Sequence, residues 1–174
     1  ASPLAGRTTG VAAGDVDDDG DVDLLVGTDR GASLLLNQGG LRFAAAPTAA
    51  LLSDGKAGRG VAMVDVDHDG DLDLLVARQA GLRLLRSAGT MAFADITAEA
   101  GLADSGASEA VTAVDLDGDR DVDILVAGPA PYALVNQRDG TFRKPPLGVA
   151  AAVGIAVADL DGDRRPNVLR MFSS

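Results

Sequence analysis

The chain has 174 residues, enough for one ordinary domain or a short array of repeats with a buried core. Apolar residues make up 47 % of the sequence but aromatic residues only 3 %, which predicts a core of Ala, Val and Leu. The net charge of −11 comes mostly from four short windows that hold nineteen of the 26 acidic residues, so it says little about binding partners.

Composition excludes several classes of protein. The absence of cysteine excludes a disulfide framework and thiol chemistry. No apolar run approaches the roughly 18 residues of a membrane-spanning helix. No signal peptide is visible, and the chain opens with Ala1-Ser2-Pro3 and no Met, as we expect of a processed mature chain or an excised fragment. The arginines are scattered, with no basic stripe or interleaved aromatics, which argues against nucleic-acid binding.

An acid-rich motif first appears at residues 15–23 and recurs three times. It reads DVDDDGDVD, with acids at positions 1, 3, 5 and 9 and a glycine at position 6. Hard oxygen ligands at alternate positions around a sharp glycine turn are what a Ca²⁺ loop requires. The four windows begin at Asp15, Asp65, Asp115 and Asp159, at spacings of 50, 50 and 44 residues. The sequence therefore predicts a repeat array with a calcium loop in each repeat.

Short apolar runs flank each window and predict strands buried on both faces. The first strands are predicted at 10–14, 61–64, 111–114 and 154–158, and the second at 24–27, 74–77, 124–127 and 168–171. The third strands are predicted at 33–37, 83–86 and 132–136, and the fourth around 41–43, 91–93 and 141–143. Four short strands in each repeat of about 45 residues are typical of a β-propeller blade.

Two other calcium-binding folds do not fit the pattern. An EF-hand loop needs a bidentate Glu at position 12. The residues at that position are Val26, Val76, Val126 and Arg170. A calcium-binding β-helix needs tandem glycine-rich repeats of nine residues, which the sequence lacks. The loop therefore joins two strands.

We predict an all-β fold, a single β-propeller array over residues 1–174 built from blades of four antiparallel strands. Complete blades are expected at about 9–47, 59–97 and 109–147, and a partial fourth blade at about 152–174. The fourth repeat has sequence for only two strands. We therefore expect about 3.5 blades, closed by oligomerisation or by missing blades, because an open blade face would expose apolar surface.

The windows resemble the calcium loops of FG-GAP or VCBS-type repeats, as in integrin alpha-subunit propellers and many bacterial extracellular proteins. The segments FADITAEAGL (93–102) and NQRDGTF (136–142) are similar to the bacterial ASPIC/UnbV-associated group. The resemblance covers nearly the whole chain. It implies a calcium-stabilised propeller that recognises a protein or a glycan. Loops of this kind fill most readily where calcium is millimolar, which favours an extracellular or periplasmic location.

In each loop, the side chains at positions 1, 3, 5 and 9 and the carbonyl at position 7 are the predicted metal ligands. In loop one these residues are Asp15, Asp17, Asp19, Asp23 and, through its carbonyl, Asp21. In loop two they are Asp65, Asp67, Asp69, Asp73 and the carbonyl of Asp71. In loop three they are Asp115, Asp117, Asp119, Asp123 and the carbonyl of Asp121. We expect three Ca²⁺ sites here, although Arg120 replaces the position-6 glycine of loop three.

Loop four departs further from the pattern. Its predicted ligands are Asp159, Asp161, Asp163 and Asn167. It has exchanged its last carboxylate for an amide and gained Arg164 and Arg165 beside the ligands. We expect it to be the weakest site.

The sequence offers no catalytic site. The only histidine, His68, occupies position 4 of loop two and is expected to be a surface residue that points away from the ion. No serine has a nucleophile-elbow context. We therefore predict a non-catalytic binding or scaffold module. The alternative is part of an enzyme or enzyme-associated propeller whose active site lies outside this segment or at an inter-chain cleft.

Overall fold

The computed structural model describes residues 4, 6–48, 52, 55–89, 91–147, 150–161 and 167–171. The described residues contain fourteen strands in three four-stranded sheets and one two-stranded sheet. The first sheet consists of β1 (Thr8–Gly14), β2 (Asp23–Thr28), β3 (Gly31–Asn37) and β4 (Phe43–Ala45). The second consists of β5 (Gly58–Val64), β6 (Asp73–Arg78), β7 (Gly81–Ser87) and β8 (Phe93–Asp95). The third consists of β9 (Ala110–Val114), β10 (Asp123–Ala127), β11 (Tyr132–Asn136) and β12 (Phe142–Arg143), and the last pairs β13 (Gly154–Ala158) with β14 (Asn167–Met171).

Each four-stranded sheet is an antiparallel meander in which every strand pairs with the next along the chain. The register repeats from sheet to sheet. The residue four positions before the first acid lies opposite the valine three positions after the last acid, and these pairs are Val11 with Val26, Val61 with Val76 and Val111 with Val126. The first strands lie side by side, β1 next to β5, β5 next to β9, and β9 next to β13. This arrangement confirms the predicted all-β fold of four-stranded propeller blades, and the sheets are called blades 1 to 4 below.

The core lies between successive blades. One cluster fills the space between blades 1 and 2 and includes Leu25, Leu34, Leu74 and Leu85, none more than 2 % exposed. A second cluster between blades 2 and 3 is built in the same way from aliphatic side chains of facing sheets. Strands β6 and β10 are buried along their whole length, as expected for strands covered on both faces. Aliphatic side chains thus dominate the packing between blades, and Tyr132 is the aromatic residue among the buried members of the second cluster.

The first strands are less buried than the sequence predicted. Burial on both faces is wrong for β1, in which Val11 is 62 % exposed. Its counterpart in the next repeat, Val61, is 9 % exposed because it packs against blade 1. A valine of the first strand therefore becomes buried only when a preceding blade covers it.

The segment between β8 and β9 closes the gap between blades 2 and 3. Ile96, Ala100 and Leu102 insert into the second core cluster, and a backbone hydrogen bond from Ala100 N to Ile96 O (2.8 Å) keeps the turn tight. Strands β5 and β9 also approach each other closely, since a Cβ on Gly60 would lie 2.8 Å from Ala110 Cα. Blades 2 and 3 are therefore held at a fixed separation. No helix in the described part of the chain has the length and hydropathy of a membrane span.

Candidate metal centres

Carboxylates converge in the loop between the first and second strands of each complete blade. In each of loops one to three, three carboxylates place a ligand atom within 4.8 Å of one another. The clusters are Asp15, Asp17 and Asp19; Asp65, Asp67 and Asp73; and Asp115, Asp117 and Asp123. The separation suits shared coordination of one cation, whose ligand distances for Ca²⁺ are about 2.3–2.6 Å. Three of the four predicted loops therefore contain a cluster that could hold a metal.

The ninth-position acid is a structural clamp in all three complete blades. Asp73, with no exposed surface, accepts hydrogen bonds from Val66 N (2.9 Å) and Ser87 N (2.8 Å). The corresponding pairs are Val16 N and Asn37 N on Asp23, and Leu116 N and Asn136 N on Asp123, all between 2.8 and 3.0 Å. Each carboxylate thus ties its loop and second strand to the end of the third strand. The sequence prediction missed this second role, although the acid's place at the start of a fully buried strand was a signal for it.

The loops turn sharply through two left-handed residues. Position 4 has positive φ in each loop, at Asp18 (58°), His68 (62°) and Gly118 (83°). Position 6 has positive φ as well, at Gly20 (90°), Gly70 (96°) and Arg120 (74°). The N–H of position 6 donates to the first acid in each loop, as Arg120 N does to Asp115 Oδ2 at 3.0 Å. Arg120 therefore keeps the glycine conformation at a cost of roughly 1 kcal/mol.

Two buried carboxylate oxygens in these loops have no hydrogen-bond donor, which suits a bound cation. They are Asp17 Oδ1 and Asp65 Oδ1, one in loop one and one in loop two. A buried anionic oxygen without a partner is costly, and a hard cation would satisfy it. Burial, together with the charges of Asp23 and Asp19, raises the pKa of Asp17. The residues present therefore fit an oxygen-coordinated divalent ion.

Of the position-9 acids, Asp23 does not join the loop-one cluster, whereas Asp73 and Asp123 join theirs. The remaining predicted ligands of loops one to three are the acids at positions 5 and 7. The position-5 acids Asp19, Asp69 and Asp119 each accept a hydrogen bond from the backbone N–H two residues later, at 2.8–2.9 Å, and only Asp19 joins a cluster. The position-7 acids Asp21, Asp71 and Asp121 contribute no side chain to any cluster. This arrangement is compatible with the predicted carbonyl role of position 7, which stays a prediction.

Loop four differs from the others in its last ligand. Asn167 Oδ1 accepts a hydrogen bond from Leu160 N at 2.7 Å, so it takes over one of the two bonds of the clamp. Blade 4 pairs only β13 with β14 in the described residues, and one acceptor oxygen serves that pair. Asp159 and Asp161 are exposed, whereas Asp163 lies outside the described residues, as do Arg164 and Arg165. No metal cluster in the described part of the chain includes loop four.

A charged network that the sequence prediction missed joins loop two to loop three. Asp121 is almost fully buried, and its two oxygens contact His68 Nε2 (2.9 Å) and Arg138 Nε. The hydrogen bond and the charge of Arg138 hold the pKa of Asp121 below its usual range, and His68 adds to the effect. His68 is therefore not an isolated surface residue. The sequence contained a signal for this network, because Arg138 occupies the position of Gly39 in blade 1 and of Gly89 in blade 2.

The clamp and the metal ligands are separable by mutation. We expect Asp73→Ala to lower the free energy of unfolding by about 2–4 kcal/mol in EDTA, because it leaves two buried N–H groups without acceptors, and by more in Ca²⁺, because Asp73 also belongs to the loop-two cluster. Asp65→Asn should lower stability only when Ca²⁺ is present. Urea unfolding in both conditions measures the difference. Equal stability of the two variants in EDTA would contradict the clamp.

The metal-free protein should lose stability as pH rises. Burial raises the pKa of Asp73 to about 6, against the opposing effect of its hydrogen bonds, and raises the pKa of Asp123 as well. A raised pKa in the folded state means that its proton stabilises the fold at low pH and that this contribution disappears as pH rises through about 6. In EDTA we expect a higher melting temperature at pH 5 than at pH 7.5. Calcium should remove this difference. If Asp73→Asn in EDTA shows the same dependence of melting temperature on pH as the wild type, the dependence does not come from Asp73.

Comparison with known protein families gives a match that spans the repeats. The FG-GAP-like repeat model matches residues 15–76 and 65–126, which together cover more than half of the chain. A comparison with the curated proteins gave no significant match. The resemblance to the ASPIC/UnbV-associated group stays a prediction.

Solved structures similar to the chain include a lectin from Agrocybe aegerita, described for its specific recognition of non-reducing terminal N-acetylglucosamine. The TM-score is 0.59 at 23 % sequence identity, and the match covers 90 % of this chain. The chain spans 44 % of the length of that structure, so the likeness bears on the fold alone. Together, the repeated blades, the in-phase acidic loops and the family match show that the chain belongs to the FG-GAP-like repeat family.

Proposed function

We propose that the chain is a calcium-stabilised, non-catalytic propeller module that recognises a protein or glycan ligand. The observation that carries the calcium assignment is the recurrence of a three-carboxylate cluster at the same place in three successive blades. An all-oxygen ligand set that includes several carboxylates favours Ca²⁺ over Mg²⁺, which demands near-ideal octahedral geometry. Such loops fit an extracellular or periplasmic location, where calcium is abundant.

The recognition role is supported by the fold and by the chemistry of the loops. FG-GAP-like blades present loops on a rigid scaffold, and the similar solved structure is a lectin. The carboxylates that cluster in the loops are arranged to meet a cation, and Asp73 and Asp123 also accept backbone hydrogen bonds. The only histidine is engaged by Asp121 through Nε2. The clustered carboxylates thus have structural partners, which favours binding over catalysis.

Removal of calcium tests the metal assignment. With a dissociation constant near 10 µM and about 1 mM Ca²⁺, each site would stabilise the fold by about 2.7 kcal/mol. We therefore expect EDTA to lower the melting temperature by roughly 5–10 °C or more, and excess Ca²⁺ to restore it. Thermal unfolding with Mg²⁺ as the control measures the effect. An unchanged melting temperature in EDTA would rule out structural calcium.

Ligand recognition needs a separate measurement. Binding of the calcium-loaded protein to a glycan array, and to candidate protein ligands by surface plasmon resonance, should reveal a ligand that is lost after chelation. Hydrolysis or modification of any ligand on the array would contradict the non-catalytic assignment.

The exposed residues of blades 1 and 4 indicate a partner. Three apolar side chains of blade 1 are exposed, Val11 (62 %), Val22 (53 %) and Leu41 (79 %), whereas their blade-2 counterparts Val61, Leu72 and Met91 pack against blade 1. On blade 4, Leu160 is 61 % exposed, while its counterparts Val16 and Val66 are buried against the next blade. The chain thus carries both complementary faces of a blade interface. We propose that a second copy of the chain docks head to tail and covers both faces.

Charge on these faces should block the assembly. Val11→Lys and Leu160→Lys should each convert an oligomer into folded monomers, because both side chains are exposed in the single chain and their replacement leaves its core intact. Analytical ultracentrifugation in Ca²⁺ measures the change, and Gln79→Lys, at an exposed turn, is the control. A wild-type protein that stays monomeric at all concentrations would contradict the second copy.

A further inference from the structure

A polar cleft lies between the metal loops of blades 2 and 3. It has a volume of about 380 Å³ and is lined by Val66, Asp67, His68, Asp121, Arg138 and Gly140. Small-molecule sites usually occupy about 300–1,000 Å³, so the cleft fits a compact ligand. Its lining comes from three loops of two blades, and no single repeat contains the site.

The cleft has a rigid floor. Asn136 Nδ2 donates to Val66 O at 2.8 Å across the blade boundary, and His68 Nε2 contacts Asp121 Oδ1 at 2.9 Å across the same boundary. Both bonds join residues of loop two to blade 3. The lining residues therefore hold their separation without a bound ligand, which lowers the entropy cost of binding.

Asp121 orients a donor and an acceptor toward the cleft. The carboxylate is 5 % exposed, whereas the side chains of His68 and Arg138 are 49 % and 60 % exposed. Arg138 uses Nε for Asp121 and Nη2 for Asp119 O, and neither bond engages Nη1. His68 donates to the Asp121 carboxylate through Nε2, so Nδ1 of the neutral ring, on the other side, is an acceptor. The buried anion thus fixes two half-exposed polar groups side by side.

The boundary between blades 1 and 2 lacks this chemistry. There, Asp18 occupies the position of His68, and Gly89 occupies the position of Arg138. The matching acid, Asp71, has its Oδ2 only 3.7 Å from where a Cβ on Gly89 would lie, so an arginine at that position would meet it as Arg138 meets Asp121. The cleft between blades 2 and 3 therefore carries a distinct function on a repeated backbone.

The charges in the cleft select a neutral polar ligand. Arg138 is already neutralised by Asp121, and the acidic loops on both sides repel a free anion. The Arg138–Asp121 pair as a whole carries no net charge, so it does not attract a cation either. A ligand with adjacent hydroxyls, each of which donates and accepts, matches the Arg138 donor, the acceptors His68 Nδ1 and Asp67, and the apolar surface of Val66.

From this arrangement we infer that the cleft between blades 2 and 3 binds one pyranose ring of a glycan, with Arg138 and His68 as its hydroxyl-binding residues. The inference rests on the proposed recognition function and names its site and ligand class.

The chain offers matched substitutions for the test. Arg138→Gly and His68→Gly remove the hydroxyl-binding groups at left-handed positions where glycine is favoured and where other blades carry glycine. Arg120→Gly is the control, because it removes the same charge from the same blade as Arg138→Gly, at another left-handed position, and Arg120 does not line the cleft. The probes are the methyl glycosides of glucose, galactose, mannose and N-acetylglucosamine.

Calorimetry in calcium, together with NMR signals of the single histidine ring, gives the readout. We expect one glycoside to bind and to shift the His68 signals, Arg138→Gly and His68→Gly to weaken binding roughly tenfold or more, and Arg120→Gly to leave it within about twofold. Glycoside binding that survives both cleft substitutions would overturn the site but keep glycan recognition. A wild-type protein that binds no glycoside would overturn the inference, while calcium stabilisation and binding of a protein ligand would still support the proposed function.

Discussion

The buried carboxylate at the ninth position of each loop is the interaction on which the blades depend. Asp23, Asp73 and Asp123 each bind two backbone N–H groups, one in the loop and one at the end of the third strand. One side chain therefore holds three segments of a blade together before any metal is considered. An aspartate can do this because its two oxygens accept independently, whereas an asparagine offers one. In blade 4, whose described residues contain only the pair β13 and β14, Asn167 accepts one backbone hydrogen bond in place of two.

The other carboxylates of the loops repel one another, and the loops compensate this repulsion in different ways. In loops one and two, the orphaned oxygens of Asp17 and Asp65 mark where a cation would complete the coordination. In loop three, the chain supplies a cationic side chain of its own, since Arg138 pairs with Asp121, which also accepts a hydrogen bond from His68. Metal and side-chain cations therefore act on different acids of the same motif. A metal and a cationic side chain reach different acids because of the loop geometry. The position-7 side chain faces the turn after the third strand, whereas the position-1 and position-3 side chains face each other.

The repeat period explains which features the sequence predicted. Strands, turns and acidic loops recur within each repeat, so local pattern sufficed to place β2, β6 and β10 and the three carboxylate clusters. Contacts between blades join residues about 50 positions apart, as His68 and Asp121 do, and no local pattern encodes them. The exposure of Val11 was missed for the same reason, since a strand's own residues do not reveal whether a preceding blade covers it. What the local pattern left undetermined lies almost entirely at blade boundaries.

Boundaries are also where a repeat protein can vary without loss of fold. Within a blade, the clamp and the strand register are repeated because each repeat needs them. Position 4 of the loop and the turn after the third strand carry no such duty beyond a left-handed backbone, which Asp18, His68 and Gly118 all satisfy. Substitutions at these two positions meet across the boundary and change the chemistry of the cleft, while the backbone stays the same. Differences between repeats at these positions are therefore a better guide to binding sites in such a propeller than the shared acidic motif, whose recurrence reports the stability of the fold.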